Sequence, residues 1–363
     1  MKKKFVSVLL ALTMSTTLSA GLTSTVFAEE AVSTASECSY DGGSGTQEDP
    51  YQISSTDSFL TFAANVNDGS NAGYADTYFL LTNDLDLTGI DWEPIGNMND
   101  MENHSTLFLG SFDGGDHTIS NLKYESDKYN CGAGLFGVNC GEVKNLTVEN
   151  AEVTVTDGTS LAIGGVVGYN MGSVDHVTLK GNSVITGNNC TGGIVGGNNN
   201  SVTNCSAENV TVIVIGDNEF EENHIVQADV AECGGLVIGG GLCGYAGTHS
   251  NPDVCLETEG FSTKNYPSVI DNCKITVSIK ADGATHVGGL IGTGLYYYGE
   301  ETVFKVTNCS VTGSIDGAVT PGTVAGRAVG SVIESCDADI LIDGVHADNQ
   351  IGTTSCMYES ADQ

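Results

Sequence analysis

Two aspartates flank one apolar residue in the segment Asp84-Leu85-Asp86-Leu87-Thr88-Gly89, and carboxylates at this spacing could bind Ca²⁺. On a strand, Asp84 and Asp86 would lie on the same face. The helix-flanked twelve-residue calcium loop needs Glu at its last position, where this chain has Ile95. Turn capping by Asp is the alternative. Asp84 and Asp86 are therefore the metal candidates, with Ca²⁺ the only cofactor that the sequence suggests.

Aromatic residues occur in two segments that interrupt the repeats described below. One segment carries Tyr296, Tyr297 and Tyr298, and the other carries Phe261 and Tyr266. Aromatic side chains in loops stack on sugars or anchor protein partners, so we take these residues as the ligand-binding candidates. The alternative is that they pack the loops onto the body of the protein.

Segment 216–235 is rich in acidic residues and contains His224, a combination that can ligate a metal. A solvated acidic loop is the alternative. Cys233 in this segment and Cys255 in a later one lie outside the repeats, and we expect this pair to form a disulfide if the chain has one. No C-x-x-C pair occurs, so the cysteine spacing does not indicate a zinc site.

The charge of the chain excludes whole classes of partner. There are 46 Asp and Glu against 12 Lys and Arg, a formal net charge of −34, and the one arginine is Arg327. Nucleic acids and anionic membranes both need basic residues for binding, so we expect neither as a partner. The sequence also lacks the G-x-S-x-G, P-loop, dinucleotide-binding and catalytic-cysteine motifs. These absences favour a non-enzymatic protein.

The N-terminal residues predict export. Lysines at positions 2–4 precede an apolar tract, and Val26-Phe27-Ala28 fits a signal-peptidase site. We expect residues 1–28 to be a cleaved signal peptide and 29–41 a linker; an uncleaved N-terminal anchor is the alternative. No second uncharged apolar run reaches ~18 residues, so we expect a secreted or cell-surface protein without membrane insertion after cleavage.

Two short motifs alternate along the chain. The first has the form Gly-x-x-Gly, and the second resembles Val-x-Asn-Cys. Copies of the first begin at Gly134, Gly165, Gly193, Gly241 and Gly289, with a degenerate copy at Thr323. Copies of the second begin at Ile119, Val143, Val174, Val202, Ile270, Val306 and Ile333. After each second motif, apolar and polar residues alternate, which predicts strands with one buried face. Strands and turns alone, repeating about every 25–30 residues, predict an all-β solenoid of parallel strands.

The cysteines of the second motif share a slot with aliphatic residues. Cys205, Cys273, Cys309 and Cys336 stand where other copies have Leu122, Leu146 and Val177, and Cys243 stands where other copies of the first motif have Phe136, Val167, Val195 and Ile291. A residue that exchanges with such side chains behaves as a small hydrophobe. We therefore expect these cysteines to be free, buried thiols.

The motifs resemble the GLUG-motif repeats of secreted and surface bacterial proteins, which are adhesin-like. Trp92-Glu93-Pro94-Ile95-Gly96 and Phe112-Asp113-Gly114-Gly115 resemble segments that precede such repeats. The resemblance implies a right-handed parallel β-helix, with an N-terminal cap and first strands over 42–118, repeats over 119–344 and a C-terminal tail over 345–363. Some members are accessory regions of IgA-cleaving metallopeptidases, but this chain has no His-Glu-x-x-His.

A short helix is expected to close the N-terminal end of the solenoid. Residues 56–68 carry an apolar stripe at helical spacing, made of Phe59, Phe62, Ala63 and Val66. Ser55 or Thr56 can cap the start of this helix, and Gly69 can end it. The stripe would cover the open end of the core, which solenoids must protect.

Two insertions mark the expected binding face. The gap between the two motifs is short in most copies but long after Gly244 and Gly292. Both insertions leave the same corner of successive turns, so the loops at 245–269 and 293–305 should be neighbours. We expect an exported, non-enzymatic binding or adhesion protein that contacts an extracellular glycan or protein through them. A carbohydrate-active enzyme, either a polysaccharide lyase or a glycosidase, and a passive structural spacer are the alternatives.

Overall fold

The apolar stripe forms the predicted helix. Helix α1 spans Thr56–Asn67, and its N-cap is Ser55. The Ser55 hydroxyl accepts from the Ser58 amide at 3.2 Å, and the Ser58 hydroxyl accepts from the Ser55 amide at 3.2 Å, which forms a capping box. Asp68 follows as the C-cap and Gly69 adopts a φ of 70°, so the helix also ends as predicted.

Helix α1 covers the N-terminal end of the core through aromatic contacts. Phe59 stacks on Trp92 with a centroid distance of 5.3 Å, and Phe62 stacks on Phe112 at 5.6 Å. The Trp92 indole N–H also donates to the Gly134 carbonyl at 3.2 Å. The helix is therefore the cap of a right-handed parallel β-helix, as the sequence predicted.

The structure is a computed structural model that describes residues 40–100, 103, 105–128, 131–156, 162–215, 238–247, 268–284, 286–295 and 304–354. Besides α1 and a 3₁₀ turn at Ala72–Tyr74, the described chain is built of strands in three sheets. Every strand pair in this part of the chain is parallel except the last hairpin of the largest sheet. From β7 onward, each rung of the β-helix takes strands from all three sheets.

The largest sheet has 19 strands in three adjoining columns, and its longer strands run through two of them. The first column contains β1 (Tyr51–Ile53), β2 (Tyr78–Leu81), β4 (Ser111–Asp113), β9 (Glu142–Glu149), β13 (Ser173–Lys180), β17 (Ser201–Thr203), β21 (Val269–Asp271), β25 (Lys305–Thr307) and β29 (Val332–Glu334). The second begins with β3 (Leu85–Asp86) and β5 (Thr118–Ser120) and continues through the C-terminal halves of β9 and β13. The third begins with β6 (Lys123–Ser126), β10 (Glu152–Val155) and β14 (Val184–Gly187). The second and third columns then share the long strands β18 (Ser206–Ile215), β22 (Lys274–Asp282), β26 (Ser310–Asp316) and β30 (Asp337–Ile342), and β31 (Val345–His346) forms the hairpin with β30.

Two smaller sheets complete the rungs from β7 onward. The 6-stranded sheet contains β7 (Gly132–Ala133), β11 (Ala162–Ile163), β15 (Cys190–Gly192), β19 (Ile238–Gly240), β23 (His286–Gly288) and β27 (Thr320–Gly322). The 7-stranded sheet contains β8 (Phe136–Asn139), β12 (Val167–Asn170), β16 (Val195–Asn198), β20 (Cys243–Gly247), β24 (Ile291–Leu295), β28 (Ala325–Ala328) and β32 (Ile351–Thr353). The segment assigned to the tail thus begins with β31 and β32.

The asparagine of the second motif turns the chain at a corner of the rung. Asn145, Asn204, Asn272 and Asn308 all have positive φ, between 51° and 54°. Asn tolerates this left-handed conformation better than most residues with a side chain, which explains its recurrence in the motif. The second glycine of the first motif has a different role. A Cβ on Gly168 would lie 2.3 Å from the Ala133 nitrogen, so the motif lets two backbones of neighbouring strands touch.

The register overturns one alignment made from the sequence. Ile119 pairs with Val148, so Leu122 does not occupy the slot of Leu146. The segment equivalent to Val143-Lys144 is Phe112-Asp113, which pairs with it directly. The error has a physical cause: Asn121 also has positive φ, at 61°, but it turns the chain at the next corner of the rung. Asn with a positive φ occurs at both corners, so the residue type alone does not identify the corner.

The remaining cysteine slots are as predicted. Thr203 pairs with Asp175 and Ser206 with Thr178, which places Cys205 in the slot of Val177. The cysteines of these slots are all buried, free thiols, namely Cys205, Cys243, Cys273, Cys309 and Cys336. They pack in the main hydrophobic core with the aliphatic residues of the neighbouring rungs.

Strand β12 of the 7-stranded sheet is buried along its whole length. In β12, Val167 packs in the main core, whereas Tyr169, two positions later, packs in a separate cluster. We call this cluster the second core. It consists of Leu107, Cys131, Val138, Cys140, Ala162 and Tyr169, with Met98, Leu109 and Met171 packed against it.

Candidate binding corner

The candidate site lies where the chain leaves the 7-stranded sheet and enters the next strand of the largest sheet, and we call this position the binding corner. In the rung of β16 and β17 the turn is short: Asn198 ends one strand and Ser201 begins the next. Only Asn199 and Asn200 lie between them. The binding corner is therefore compact in this rung.

The two insertions both start and end at the binding corner, in adjacent rungs. Gly247 and Leu295, the last residues before each insertion, are paired in register. Val269 and Lys305, the first strand residues after each insertion, are also paired in register. Because strands in a sheet lie about 4.8 Å apart, the two insertions have neighbouring roots. The two insertions predicted to be neighbours thus have adjacent attachment points.

A ladder of buried amides runs along the inside of the corner. Asn139 donates from Nδ2 to Asn170 Oδ1 at 2.8 Å, and Asn170 donates in the same way to Asn198 Oδ1 at 2.8 Å. All three side chains have no exposed surface. The same amides donate to the carbonyls of Ser173 and Ser201, at 3.2 Å and 3.1 Å, which ties the corner to the next strand.

The ladder ends where the insertions begin. Asn198 donates to the Ser268 hydroxyl at 2.9 Å, and the hydroxyl donates back to the Asn198 carbonyl at 3.1 Å. In the following rungs Ala246 and Gly294 occupy the asparagine slot. Phe304 fills the space there, because a Cβ on Gly294 would lie 2.6 Å from its ring.

Both insertions are thus anchored by a buried residue at their C-terminal end. Ser268 is fully buried and Phe304 is 1% exposed. The Lys305 amide donates to the Ser268 carbonyl at 2.9 Å, and the Val332 amide donates to the Phe304 carbonyl at 2.9 Å. A rigid frame with anchored loops is the usual arrangement of a solenoid binding face.

The acidic insertion has its roots at a different corner. Ile215 pairs with Asp282, and Ile238 pairs with His286. The next rung crosses the same corner with residues 283–285 alone. The acidic segment is therefore separate from the binding corner, and it serves below as a control.

Carboxylates beside the corner are held by donors from the following rung. Thr203 and Asn204 both donate to Asp175 Oδ1, and Thr307 and Asn308 both donate to Asp271 Oδ1. Partial burial of Asp175 opposes its ionisation, but these hydrogen bonds outweigh burial, so its pKa lies below the ordinary value. Asp175 therefore stays ionised at neutral pH and adds to the negative charge of the face.

Asp84 and Asp86, the metal candidates, are engaged in capping bonds. Asp84 Oδ1 accepts from the Thr118 amide at 2.9 Å and lies 3.1 Å from His117 Nδ1. Asp86 Oδ1 accepts from the Thr88 amide at 2.9 Å and from Asn121 at 2.9 Å. These bonds lower the pKa of both carboxyls. Within the described residues, no three His, Cys, Asp or Glu side chains converge as a metal-ion site.

The one arginine is not at the surface. Arg327 is 3% exposed and is aligned with Thr293 across the 7-stranded sheet. Burial, and secondly the charge of Arg327, lower the pKa of His286 to about 4. No guanidinium is therefore displayed for clamping a phosphate or carboxylate ligand.

The aromatic candidates lie outside the described residues. These are Tyr296, Tyr297, Tyr298, Phe261 and Tyr266, and the candidate disulfide pair Cys233 and Cys255 lies outside as well. Phe304 and Ser268, which anchor the insertions, were not among the residues predicted from the sequence. Both could have been found, because each stands immediately before the strand that resumes the repeat.

Comparison with known proteins supports the repeat assignment. The GLUG motif matches residues 187–213 and 283–316, so the chain contains GLUG-motif repeats. Halomucin of Haloquadratum walsbyi is 33% identical over 165 residues, which is 42% of this chain and 2% of that protein. A candidate Gly-rich membrane protein of Evansella cellulosilytica is 32% identical over 147 residues, which is 38% of this chain and 15% of that protein. The chain therefore spans a small part of these relatives.

A solved structure shares the fold. A crystal structure of a candidate immunoglobulin A1 protease from Bacteroides ovatus superposes with a TM-score of 0.58 and 20% sequence identity. The match covers 87% of this chain and 84% of that one. At this identity the likeness concerns the β-helix fold alone. Within the described residues, no helix combines the length and the apolar character needed to cross a membrane.

Proposed function

We propose that this chain is an exported, surface-associated β-helix that binds an extracellular glycan or protein at the binding corner. The insertions 248–267 and 296–303 form the contact surface. The observation that carries the proposal is the paired register of Gly247 with Leu295 and of Val269 with Lys305, which gives the insertions adjacent roots.

Anchoring of the roots supports a binding role for the insertions. Ser268 and Phe304 are buried and hydrogen-bonded to neighbouring strands, so both loops return to fixed points. Loops held by a rigid frame lose less conformational entropy on binding than loops on a mobile frame. The aromatic residues in them, including Tyr296, Tyr297 and Tyr298, are suited to stacking on sugars or to filling a protein pocket.

The N-terminal segment and the description of a relative support display outside the cell. The N-terminal segment has the features of a signal peptide, and a relative is described as a membrane protein. The formal charge of −34 and the burial of Arg327 disfavour nucleic acids and anionic membranes as the ligand. A neutral glycan or a basic protein surface fits this charge best.

The register defines clean deletions that test the proposal. Removal of 248–267 joins Gly247 to Ser268, and removal of 296–303 joins Leu295 to Phe304; both recreate the short turn made by Asn199 and Asn200. The matched control replaces 216–237, at the other corner, with Gly-Ala-Thr, the residues found at 283–285 in the next rung.

The assay uses immobilised glycans and mucins and measures retention and released reducing ends together, with and without EDTA. We expect retention of the full protein and of the control, at least tenfold weaker retention of each deletion, and no released ends. Retention that survives both deletions would overturn the corner as the binding site. Released reducing ends would favour a polysaccharide lyase or glycosidase, and no retention by any form would favour a protein ligand or a spacer.

A further inference from the structure

Four buried cysteines form a continuous column inside the main core, and we call it the thiol column. Each member follows the corner residue of the second motif, in the successive rungs of β17, β21, β25 and β29. The flanking residues fix this alignment: Thr203 pairs with Asp271, and Ser206 pairs with Lys274. The later rungs are paired in the same way. The thiol column therefore consists of Cys205, Cys273, Cys309 and Cys336.

Neighbouring members of the thiol column are in contact. The Cys273 amide donates to Cys309 Sγ at 3.4 Å, so this sulfur reaches back to the preceding rung. Hydrogen bonding with Cys205 raises the pKa of Cys273, and hydrogen bonding with Cys273 raises the pKa of Cys309 to about 12. Hydrogen bonding with Cys309 likewise raises the pKa of Cys336. Neighbouring strands lie about 4.8 Å apart, which is within the Cα–Cα range that a disulfide accepts.

The thiol column begins where the long insertions begin. The two preceding rungs carry Leu146 and Val177 in this slot and have no long insertion. The chain between Cys205 and Cys273 contains both the acidic segment and the first corner insertion, and the chain between Cys273 and Cys309 contains the second. A cross-link restricts the unfolded chain more strongly when it closes a longer loop. Thiols at these positions can therefore offset the entropy of the longest excursions.

We propose that the thiol column is a cross-linking site, in which Cys205 bonds to Cys273 and Cys309 bonds to Cys336 as two disulfides between neighbouring rungs. This pairing uses all four thiols. A central bond between Cys273 and Cys309 would instead leave the two outer thiols three rungs apart, beyond the reach of a disulfide.

The oxidant is a second disulfide, such as glutathione disulfide, which reacts by thiol–disulfide exchange. One thiolate of the chain attacks this disulfide, breaks its S–S bond and releases one donor thiol. The neighbouring cysteine thiolate then attacks the mixed disulfide and releases the second donor thiol. For each bond the chain loses two protons and two electrons, and the donor disulfide is reduced to two thiols.

The exchange takes place before the thiol column is buried. In the folded chain all four thiols are buried, and the raised pKa of Cys273 and Cys309 keeps both protonated, so they are poor nucleophiles there. The free thiols described above are the reduced form of the site. The inference rests on the proposed function only for export, because disulfides persist outside the reducing cytosol.

The test refolds the purified full chain from denaturant in a glutathione redox buffer. Free thiols are then alkylated under denaturing conditions, and cross-linked peptides are mapped by mass spectrometry. We expect peptides that join Cys205 to Cys273 and Cys309 to Cys336, with no alkylation at these four positions. The urea midpoint of the refolded protein should fall when the bonds are reduced. This readout needs no ligand, so its failure is distinguishable from a failure of the binding proposal.

Two valine substitutions provide the comparison. Cys309→Val should remove only the second cross-link and leave Cys336 alkylated. Cys243→Val removes a buried thiol outside the column and should keep both cross-links. Val is native to both slots, since Val177 occupies the first and Val195 pairs with Cys243 in the second, so both variants should fold, and a thermal melt verifies this.

Three results would overturn the proposal, whatever the state of Cys233 and Cys255. These are alkylation of all four column thiols in the wild type, a bond between Cys273 and Cys309 in place of the two expected ones, and bonds from the column to cysteines elsewhere. Loss of both cross-links in Cys243→Val would also contradict a site confined to the thiol column.

Discussion

Asn198 donates from Nδ2 to the hydroxyl of Ser268 at 2.9 Å, although 70 positions separate the two residues in sequence. The bond joins the last amide of the buried ladder to the residue at which the longer corner insertion returns. Closing a long loop costs little more than closing a short one, because the entropic cost grows only with the logarithm of length. A single well-placed anchor therefore lets the solenoid carry a large loop at a rigid corner.

The central amide of the ladder should be important for stability. Asn170 accepts from Asn139 and donates to Asn198 and to the Gly172 and Ser201 carbonyls. Asn170→Ala would leave several of these buried groups unsatisfied, so we expect a loss of about 3 kcal/mol in the free energy of unfolding, measured by urea denaturation. The control is Asn83→Ala at an exposed site with one hydrogen bond, which should cost at most about 1 kcal/mol. Equal losses would contradict a special role for the ladder.

Phe304 should control the stability of the second insertion root. Its ring is 1% exposed and fills the slot left by Gly294. Phe304→Ala should reduce the free energy of unfolding by about 3–5 kcal/mol through loss of buried area and an unfilled cavity. Hydrogen exchange should accelerate first at the Lys305 amide, which bonds to Ser268. Val319→Ala, at a residue that is 64% exposed, should change neither quantity measurably.

Much of the fold was predictable because the repeats impose the same constraints on every rung. Period-two alternation predicts the strands, and exchange of Cys205 with Val177 predicts buried thiols. The stripe of α1 and its N-cap at Ser55 were also accessible, since local capping chemistry decides them. These features depend on near neighbours in sequence or on equivalent positions of the repeat.

The features that were missed depend on which rung lies beside which. Asn139, Asn170 and Asn198 each stand two positions after the second glycine of a Gly-x-x-Gly motif, so their common slot was visible, but their burial and mutual bonding were not. The second core was not predicted, because a strand with apolar residues on both faces does not show from its sequence whether those faces pack into one core or two. The position of Asn121 was misjudged because two corners of the rung favour the same residue.

Two substitutions at the start of helix α1 test which of the two residues considered from the sequence, Ser55 or Thr56, is its N-cap. Ser55 accepts from the Ser58 amide, whereas the Thr56 hydroxyl donates to the Asp86 carbonyl at 3.3 Å at an exposed position. Ser55→Ala should reduce the free energy of unfolding by about 1 kcal/mol, because the helix loses its N-cap. Thr56→Ala should cost clearly less in the same denaturation series. A larger effect at Thr56 would contradict the capping box.

His286 should make the protein sensitive to mild acid. Its folded pKa of about 4 lies below the ordinary 6.5, because burial and then the charge of Arg327 disfavour the protonated ring. Below pH 6.5 His286 binds a proton in the unfolded chain but stays neutral in the folded chain. The contribution of His286 to the free energy of unfolding is therefore fully present above pH 6.5. It is lost as the pH falls towards 4, by up to about 3 kcal/mol.

The measurement compares wild type with His286→Ile between pH 7 and pH 4.5. Ile is the matched substitution because Ile238 occupies the same slot in the neighbouring rung. Carboxyl groups whose folded pKa is lowered, such as Asp175, have an ordinary pKa of 3.8, so their contribution to the free energy of unfolding is lost below this pH range. The difference between the two proteins in this range therefore reports on His286. The wild type should lose stability to denaturant as the pH falls, and the curve for His286→Ile should be flatter by the same amount. Parallel curves for the two proteins would show that the buried ring is not the source of the acid sensitivity.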